Sequence, residues 1–164
     1  MANLDKDSMA KLLELNIRIT RKADFIEKIK IISDTVKDII KADRCSIFIH
    51  DDNSNSFWTV HTDGISYIEL PDTKGIISNV YKTKKMIIDN NIEANQNAIK
   101  SIDSEYITKS IISMPILGFD NNCIGVVQLL NKYGDEGFTD LDKKTLQFVV
   151  NHFTTFIQII AQDN

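Results

Sequence analysis

Residues 110–130 read SIISMPILGFDNNCIGVVQLL. Two long apolar runs, Ser110–Leu117 and Cys123–Leu130, flank the short segment Gly118–Asn122, GFDNN. Each run has strand length, and glycine, aspartate and asparagine between them supply the backbone freedom of a tight connection, so an antiparallel hairpin is predicted. Gln128 interrupts the second run. A polar residue pointing into a core needs a partner. A ligand contact and satisfaction of nearby backbone groups would each provide one, and the residues alone favour neither.

Outward from this hairpin the patterns alternate. After it, Thr139 with Asp142 three residues later has the form of a capping box, in which hydroxyl and carboxylate satisfy orphan amides reciprocally. The helix it opens carries Leu146, Val149, Phe153, Ile157 and Ile160 on one stripe, with Phe148, Phe156 and Ile159 off it. A helix apolar on more than one face buries more than one face: one side can cover a sheet and the other meet a partner helix or a second subunit. Before the hairpin, Arg44–Asp51 and Phe57–His61 alternate with period 2 around the polar turn Asp51–Asn55. A third strand is expected at Ile65–Leu70, closed by Pro71. A short helix follows at Gly75–Thr83, then a short strand at Met86–Ile88 and a polar, irregular stretch from Asn90 to Lys109.

The first 43 residues read as two helices with a break at Thr20–Asp24. In the first, Met9, Leu12, Leu13 and Ile17 recur at helical spacing, with Leu15 and Ile19 as a second stripe. The second turns Ile26, Ile29, Ile32, Val36, Ile39 and Ile40 inward and Lys28, Asp34, Lys37, Asp38 and Lys41 outward. Helices at both ends around a hairpin-built sheet define an α+β layer design with an antiparallel sheet.

Composition narrows the function. The 164 residues hold 19 Lys+Arg against 23 Asp+Glu, with 43% apolar residues and a net charge of −4. The first 44 residues carry ten basic and eight acidic side chains, leaving nine and fifteen for the rest, so the acidity belongs to the body. Such a body is no general phosphate-binding surface, and no nucleic-acid partner is expected. No apolar run is long enough to span a membrane, and the charged N-terminus lacks a signal peptide's apolar stretch. Two cysteines are too few for a secreted disulfide scaffold, so a soluble protein of a reducing compartment, the cytoplasm, is expected.

Signatures of catalysis are sparse. The sequence has no GxxxxGK[ST], GxGxxG or GxSxG. His50, His61 and His152 are not at metal-ligand spacing, so no metal is expected and the three are read as structural or solvent-facing. Cys45 and Cys123 sit inside predicted strands, where burial disfavours the thiolate. A redox pair would require them to face each other across neighbouring strands. Asp51/Asp52 and Asp135/Glu136 fall in turns and are read as solvated. Gly75 opens a helix whose first N–H groups lack partners, an end that favours anions. Lys82, Lys84 and Lys85 lie beside it, either as a solvated loop or as an attraction for an anionic ligand. Thr108, Ser110 and Gln128 are expected opposite that helix.

Four segments resemble the GAF domain family, in the branch of cyclic-nucleotide phosphodiesterases and bacterial adenylyl cyclases. Ala42–Phe48 is similar to the family's first strand, and Gly75–Val80 with Thr83 to its glycine-opened helix. Tyr106–Ile116 resembles the YxTxxIL…PI strand. Gly125–Lys132, with Phe138 and Asp142, resembles the asparagine-lysine…phenylalanine…aspartate-glutamate signature. The resemblance spans about residues 25–160. Departures fall near the pocket: Lys143 replaces the signature's final Glu, Lys84 follows Thr83 in place of glycine, and Gln128 stands where cyclic-nucleotide binders often carry Glu. The Asp103–Tyr106 stretch is shorter by about one residue and lacks the usual Thr-Gly. There is neither a bilin-attachment cysteine in the short helix nor the cysteine set of the free methionine sulfoxide reductases.

The resemblance implies a six-stranded antiparallel sheet with the N- and C-terminal helices packed on one face and a ligand pocket on the other. Residues 1–22 would form a connecting or dimerisation helix and residues 23–162 the domain. The implied role is a non-enzymatic sensory module of a bacterial signalling protein. It needs no cofactor, binds a small molecule (a cyclic nucleotide is the candidate), homodimerises through terminal helices and signals to an attached output domain. Phosphodiesterase, diguanylate cyclase and histidine kinase outputs are all open. Ligand contacts carried over by position are Ser46, Asp63, Ile76, Ile77, Tyr106, Thr108 and Gln128. Asn131, Lys132, Phe138 and Asp142 match the structural lock, with Lys132 and Asp142 as its ion pair. The chain stops two or three turns after Phe153, as expected of a cut through a connecting helix. Two other readings stand beside this one: a ligand-free dimerising relay, and a redox enzyme using Cys45 and Cys123.

Overall fold

The computed structural model describes residues 4–21, 24–59, 68–92 and 106–162. In chain order the elements are α1 (Lys6–Arg21), α2 (Phe25–Ile40), β1 (Ala42–Asp51), β2 (Ser56–Thr59), β3 (Ile68–Pro71), α3 (Ile76–Thr83), β4 (Ile87–Asp89), β5 (Ile111–Leu117), β6 (Cys123–Lys132) and α4 (Asp140–Gln162). The strands form one sheet in the order β3-β2-β1-β6-β5-β4, and every neighbouring pair is antiparallel. The hairpin of residues 110–130 supplies β5 and β6. Its turn is closed by Gly118 N–H to Asn122 O at 2.8 Å, with Asn121 in the left-handed region at φ 62°.

Strand alternation assigns the two faces. Cys45, Ile47 and Ile49 of β1, Ile112, Met114 and Ile116 of β5, and Val127 and Leu129 of β6 bury themselves under α2 and α4. From α2 come Ile29, Ile32, Val36 and Ile40; from α4 come Leu146, Val149, Phe153 and Ile157. The opposite face holds Phe48, Phe57 and Val126, covered by Ile77 and Val80 of α3. β1 and β6 approach so closely that a Cβ on Gly125 would lie 2.2 Å from the Phe48 carbonyl oxygen.

Helix α1 lies on α2 rather than on the sheet. Its buried side chains are Ser8, Leu12, Leu15 and Ile19, so the second stripe joins Leu12 at the core. Met9, Leu13 and Ile17 point outward, with Leu13 59% and Ile17 52% exposed. Ile26 likewise proves exposed on α2. The reason is that α2 is covered from two sides: Ile31 and Thr35 are buried as well as the expected stripe, and a sandwiched helix no longer follows a one-face pattern.

Candidate functional site

On the face that α3 covers, one polar row crosses the middle of the sheet. Ser46 of β1 pairs in register with Gln128 of β6, and Gln128 pairs with Ser113 of β5. The Gln128 Nε2 donates to Ser113 Oγ at 3.1 Å. Ser113 is fully buried, so this bond fixes the amide while its carbonyl end makes no hydrogen bond among the described residues. The alternation that puts Phe48 and Val126 under α3 places Ser46 and Gln128 beside them. Ser113 was not singled out from sequence. The signal was available: a hydroxyl inside an apolar strand needs the same accounting as Gln128.

Ile77 packs in the apolar cluster under α3, and Ile76 is half-buried at its rim. The helix starts at Gly75, whose φ of 101° suits glycine, and no side chain caps the first turn. Its leading amides therefore retain the anion preference of an uncapped helix start. The basic cluster is at the other end. An eight-residue helix is about 12 Å long, and Lys82 and Lys84 stand in or past its last turn. Lys82 Nζ donates to Asp72 O and Lys84 Nζ to Asn121 O, tying loops together.

Tyr106 and Thr108 enter from the segment before β5. The Tyr106 hydroxyl donates to Asp43 Oδ2 at 2.7 Å and accepts from Asn131 Nδ2 at 2.9 Å, while the Arg44 guanidinium sits 3.5 Å from the ring centroid. Burial, then the Asp43 hydrogen bond and charge, push the phenol far above its ordinary value, so it stays protonated. Arg44 lies two residues before Ser46 on the same face, which puts Tyr106 at the margin of the polar row. Thr108 is half-buried on that segment. Ser110 separates from this group: its Oγ accepts from Lys132 N–H, so it ties β5 to β6 and does not face α3. Asp63 lies outside the described residues.

Of the four lock residues, Lys132 and Asp142 bond to each other, while Asn131 and Phe138 are held by other groups. Asn131, in the left-handed region at φ 57°, accepts from the Lys109 and Ser110 amides on Oδ1 and donates from Nδ2 to Tyr106 and to Ile107 O. Lys132 Nζ donates to Ile40 O, at the end of α2, and to Asp142 Oδ1 at 2.7 Å. Asp142 Oδ2 accepts from Thr139 N–H, and Thr139 Oγ1 accepts from Asp142 N–H, completing the capping box. Phe138 is buried, and Asn90 binds its backbone twice, donating to the carbonyl and accepting from the amide. Sheet, α2 and α4 thus meet at one carboxylate–ammonium pair.

Cys45 and Cys123 are both free and buried. Cys45 faces Leu129 across the β1–β6 ladder, six residues along β6 from Cys123, or about 20 Å at ~3.3 Å per residue. A disulfide needs Cα atoms within roughly 7 Å, so the redox-pair reading fails. Among the described residues no group of three or more His, Cys, Asp or Glu side chains could hold a metal ion. A separate cleft of about 520 Å³ opens where α3 ends, between the β5–β6 turn and the last turns of α4, lined by His50, Tyr81, Lys84, Asp120, Cys123 and Gln158 among others. None of the described expected ligand residues lines it.

The GAF domain model matches residues 24–157. The chain belongs to the GAF domain family. It is 31% identical over 125 residues to the dual 3',5'-cyclic-AMP and -GMP phosphodiesterase 11A of Takifugu rubripes, covering 66% of this chain and 14% of that protein. It is 24% identical over 138 residues to the rod cGMP-specific 3',5'-cyclic phosphodiesterase subunit alpha of Canis lupus familiaris, covering 74% of this chain and 16% of that one. The chain therefore spans about one-seventh of the length of these relatives. A solved GAF domain from an Acinetobacter phosphoenolpyruvate-protein phosphotransferase superposes with a TM-score of 0.77 at 16% identity over 94% of both chains. GAF domains are regulatory and sensory modules of multidomain signalling proteins. No described helix is long and apolar enough to cross a membrane.

Proposed function

We propose that this GAF domain is the sensor of a bacterial, cytoplasmic signalling protein. It binds a small molecule beneath α3, with a cyclic nucleotide as the first class to test, and relays occupancy to an attached output domain. The carrying observation is the Ser46–Gln128–Ser113 row, three polar side chains in register beside the apolar cluster of Phe48, Phe57 and Val126. Ile76, Ile77, Tyr106, Thr108 and Asp63 are the further residues proposed to contact the ligand. The names of the curated relatives support the nucleotide class, and two buried thiols suit a reducing compartment. Calorimetry with cAMP and cGMP tests the reading. Binding of one of them, weakened at least about tenfold by Gln128→Leu through the loss of one buried polar contact, supports it. Absence of heat from both at high micromolar concentration removes the nucleotide.

A second reading, a ligand-free dimerising relay, is favoured by the outward apolar residues of the terminal helices. Met9, Leu13 and Ile17 on α1 and Phe148 and Ile159 on α4 are all exposed, and His152 of α4 reaches Asn16 of α1 at 3.1 Å between them. A homodimer through these helices would be split by Leu13→Glu in light scattering. A melting temperature raised several degrees by any metabolite would count against the ligand-free version, since a ligand that binds only the folded state must stabilise it.

A further inference from the structure

Among the described residues His50 ties α3 to the sheet from the end of β1, and its Nδ1 has two neighbours that different protonation states favour. It lies at the end of β1 with only 6% of its side chain exposed, stacked on Tyr81 of α3 at 4.3 Å and edge-on to Phe57 at 5.0 Å. Nε2 lies 3.0 Å from Asp72 Oδ2, in the turn that leads into α3. Nδ1 has two neighbours: Asp52 Oδ1 at 2.9 Å, in the β1–β2 turn, and the Tyr81 hydroxyl at 3.1 Å. Asp52 can only accept while ionised, so its bond requires a proton on Nδ1. The Tyr81 hydroxyl donates to Nδ1 only when that proton is absent. Nε2–H to Asp72 is compatible with both states.

We propose that His50 is a proton-operated latch on α3. With Nδ1 protonated the ring holds the Asp52 turn; with Nδ1 bare it accepts the Tyr81 hydroxyl and holds the helix. Burial, followed by the charges of Asp52, Cys123 and Asp72, raises the Tyr81 phenol, so its O–H persists through the range in which an imidazole titrates. The charged and titratable surroundings are Asp51 and Asp52 from the β1–β2 turn, Asp72 before α3, and Tyr81 and Lys82 on it. Lys84, Asp120 and Cys123 complete them at the adjoining cleft. Asp72 also receives Ser78 Oγ and Lys82 Nζ on its carbonyl, so the start and end of α3 report to the same turn. The latch deepens the sensor reading, because α3 roofs the Ser46–Gln128–Ser113 face and its hold would set access to that face; its test needs no ligand.

The test follows the His50 ring nitrogens by long-range ¹H–¹⁵N spectra from pH 5 to 9, alongside amide exchange of residues 76–83 and 52–55, divided by the intrinsic rate at each pH. Gln replacements of His61 and His152 assign the resonance. The expected result is one shared midpoint: above it the α3 amides gain roughly two- to tenfold protection, the range of one hydrogen bond, while the turn amides lose it. Tyr81→Phe, which keeps the stacked ring, abolishes the α3 response and leaves His50 titrating. His50→Gln flattens both responses, and Asp52→Asn serves in its place, removing only the turn response, should that variant not fold. Protection of α3 that is flat through the His50 titration, an α3 response that survives Tyr81→Phe, or a His50 ring that does not titrate in this range overturns the latch. A latch that operates in a protein binding no nucleotide would remove the nucleotide reading alone.

Discussion

At the scale of single residues, Asp142 joins a strand to the start of a helix. One oxygen accepts from Lys132, the other caps Thr139, and its own amide is bound by the Thr139 hydroxyl. The pair is largely buried, with 17% of the Lys132 side chain and 12% of the Asp142 side chain exposed. Removing one partner leaves the other as an uncompensated buried charge, which costs much more than the net contribution of the pair. Asp142→Ala is therefore expected to lower unfolding free energy by about 3–5 kcal/mol in urea titration. The double variant Lys132→Met/Asp142→Leu, which removes both charges and keeps volume, should recover most of it. Equal loss in single and double variants would show that the ion pair is not the cause. Cys123 makes the opposite point about a reactive group put to rest. Burial pushes its thiol up, only partly offset by backbone hydrogen-bonding groups of Gly125 and Ile116. Because the thiolate is the nucleophile, native Cys123 should alkylate at least about tenfold more slowly at pH 8 than the same residue in urea. Mass spectrometry of iodoacetamide adducts reads this directly.

At the scale of elements, what could be read from sequence depended on how local the cause was. The capping box of α4, the β1–β2 and β5–β6 turns and the alternation of β1 are each set by residues a few positions apart, and each appears where expected. The faces of α1 are not set locally, because a third layer decides them: Leu12, Leu15 and Ile19 are buried where α1 lies on α2, and only the packed body reveals that α2 needs cover there. The His50 cluster was illegible for the same reason, since Asp72 and Tyr81 are 22 and 31 residues away in the chain. Of the candidate site, Gln128 was visible as a polar break in an apolar strand. Its fixing partner Ser113 became clear only through the strand register. The β1–β2 turn carries a prediction of its own. Asn53 N–H first, then the Ser54 hydroxyl, bind the Asp51 carboxylate and hold it below the usual range. A depressed acid contributes stability above its unfolded value, about pH 4, and loses it as pH falls through the lower folded value. Between pH 5 and pH 2.5 the urea midpoint of Asp51→Asn should therefore fall less than that of the parent chain. Parallel curves would mean that the turn does not sense the charge.

At the scale of the whole molecule, the four described helices divide their labour. α2 and α4 cover one face of the sheet, α3 covers the other above the polar row, and α1 closes α2 from outside. By sequence, residues 1–22 are assigned to a connecting or dimerisation helix and residues 23–162 to the domain. Packing gives α1 a second role: Leu12, Leu15 and Ile19 are almost wholly buried in the same cluster as the sheet's inner face. Burying an aliphatic side chain contributes roughly 1.5–3 kcal/mol, an upper figure because the unfolded chain already hides part of it. Deleting residues 1–22 should therefore leave the sheet formed, by circular dichroism, while costing at least about 3 kcal/mol in unfolding free energy. It should also raise binding of a hydrophobic dye, since the surface of α2 on which α1 lies would be uncovered. Replacing Met9, Leu13 and Ile17 together by Glu, Lys and Gln is the matching control: those side chains face outward, so stability per chain should be retained while any self-association is lost. If deletion proved neutral, α1 would be a connector alone, and a signal passing through it could not act on the core by way of α2.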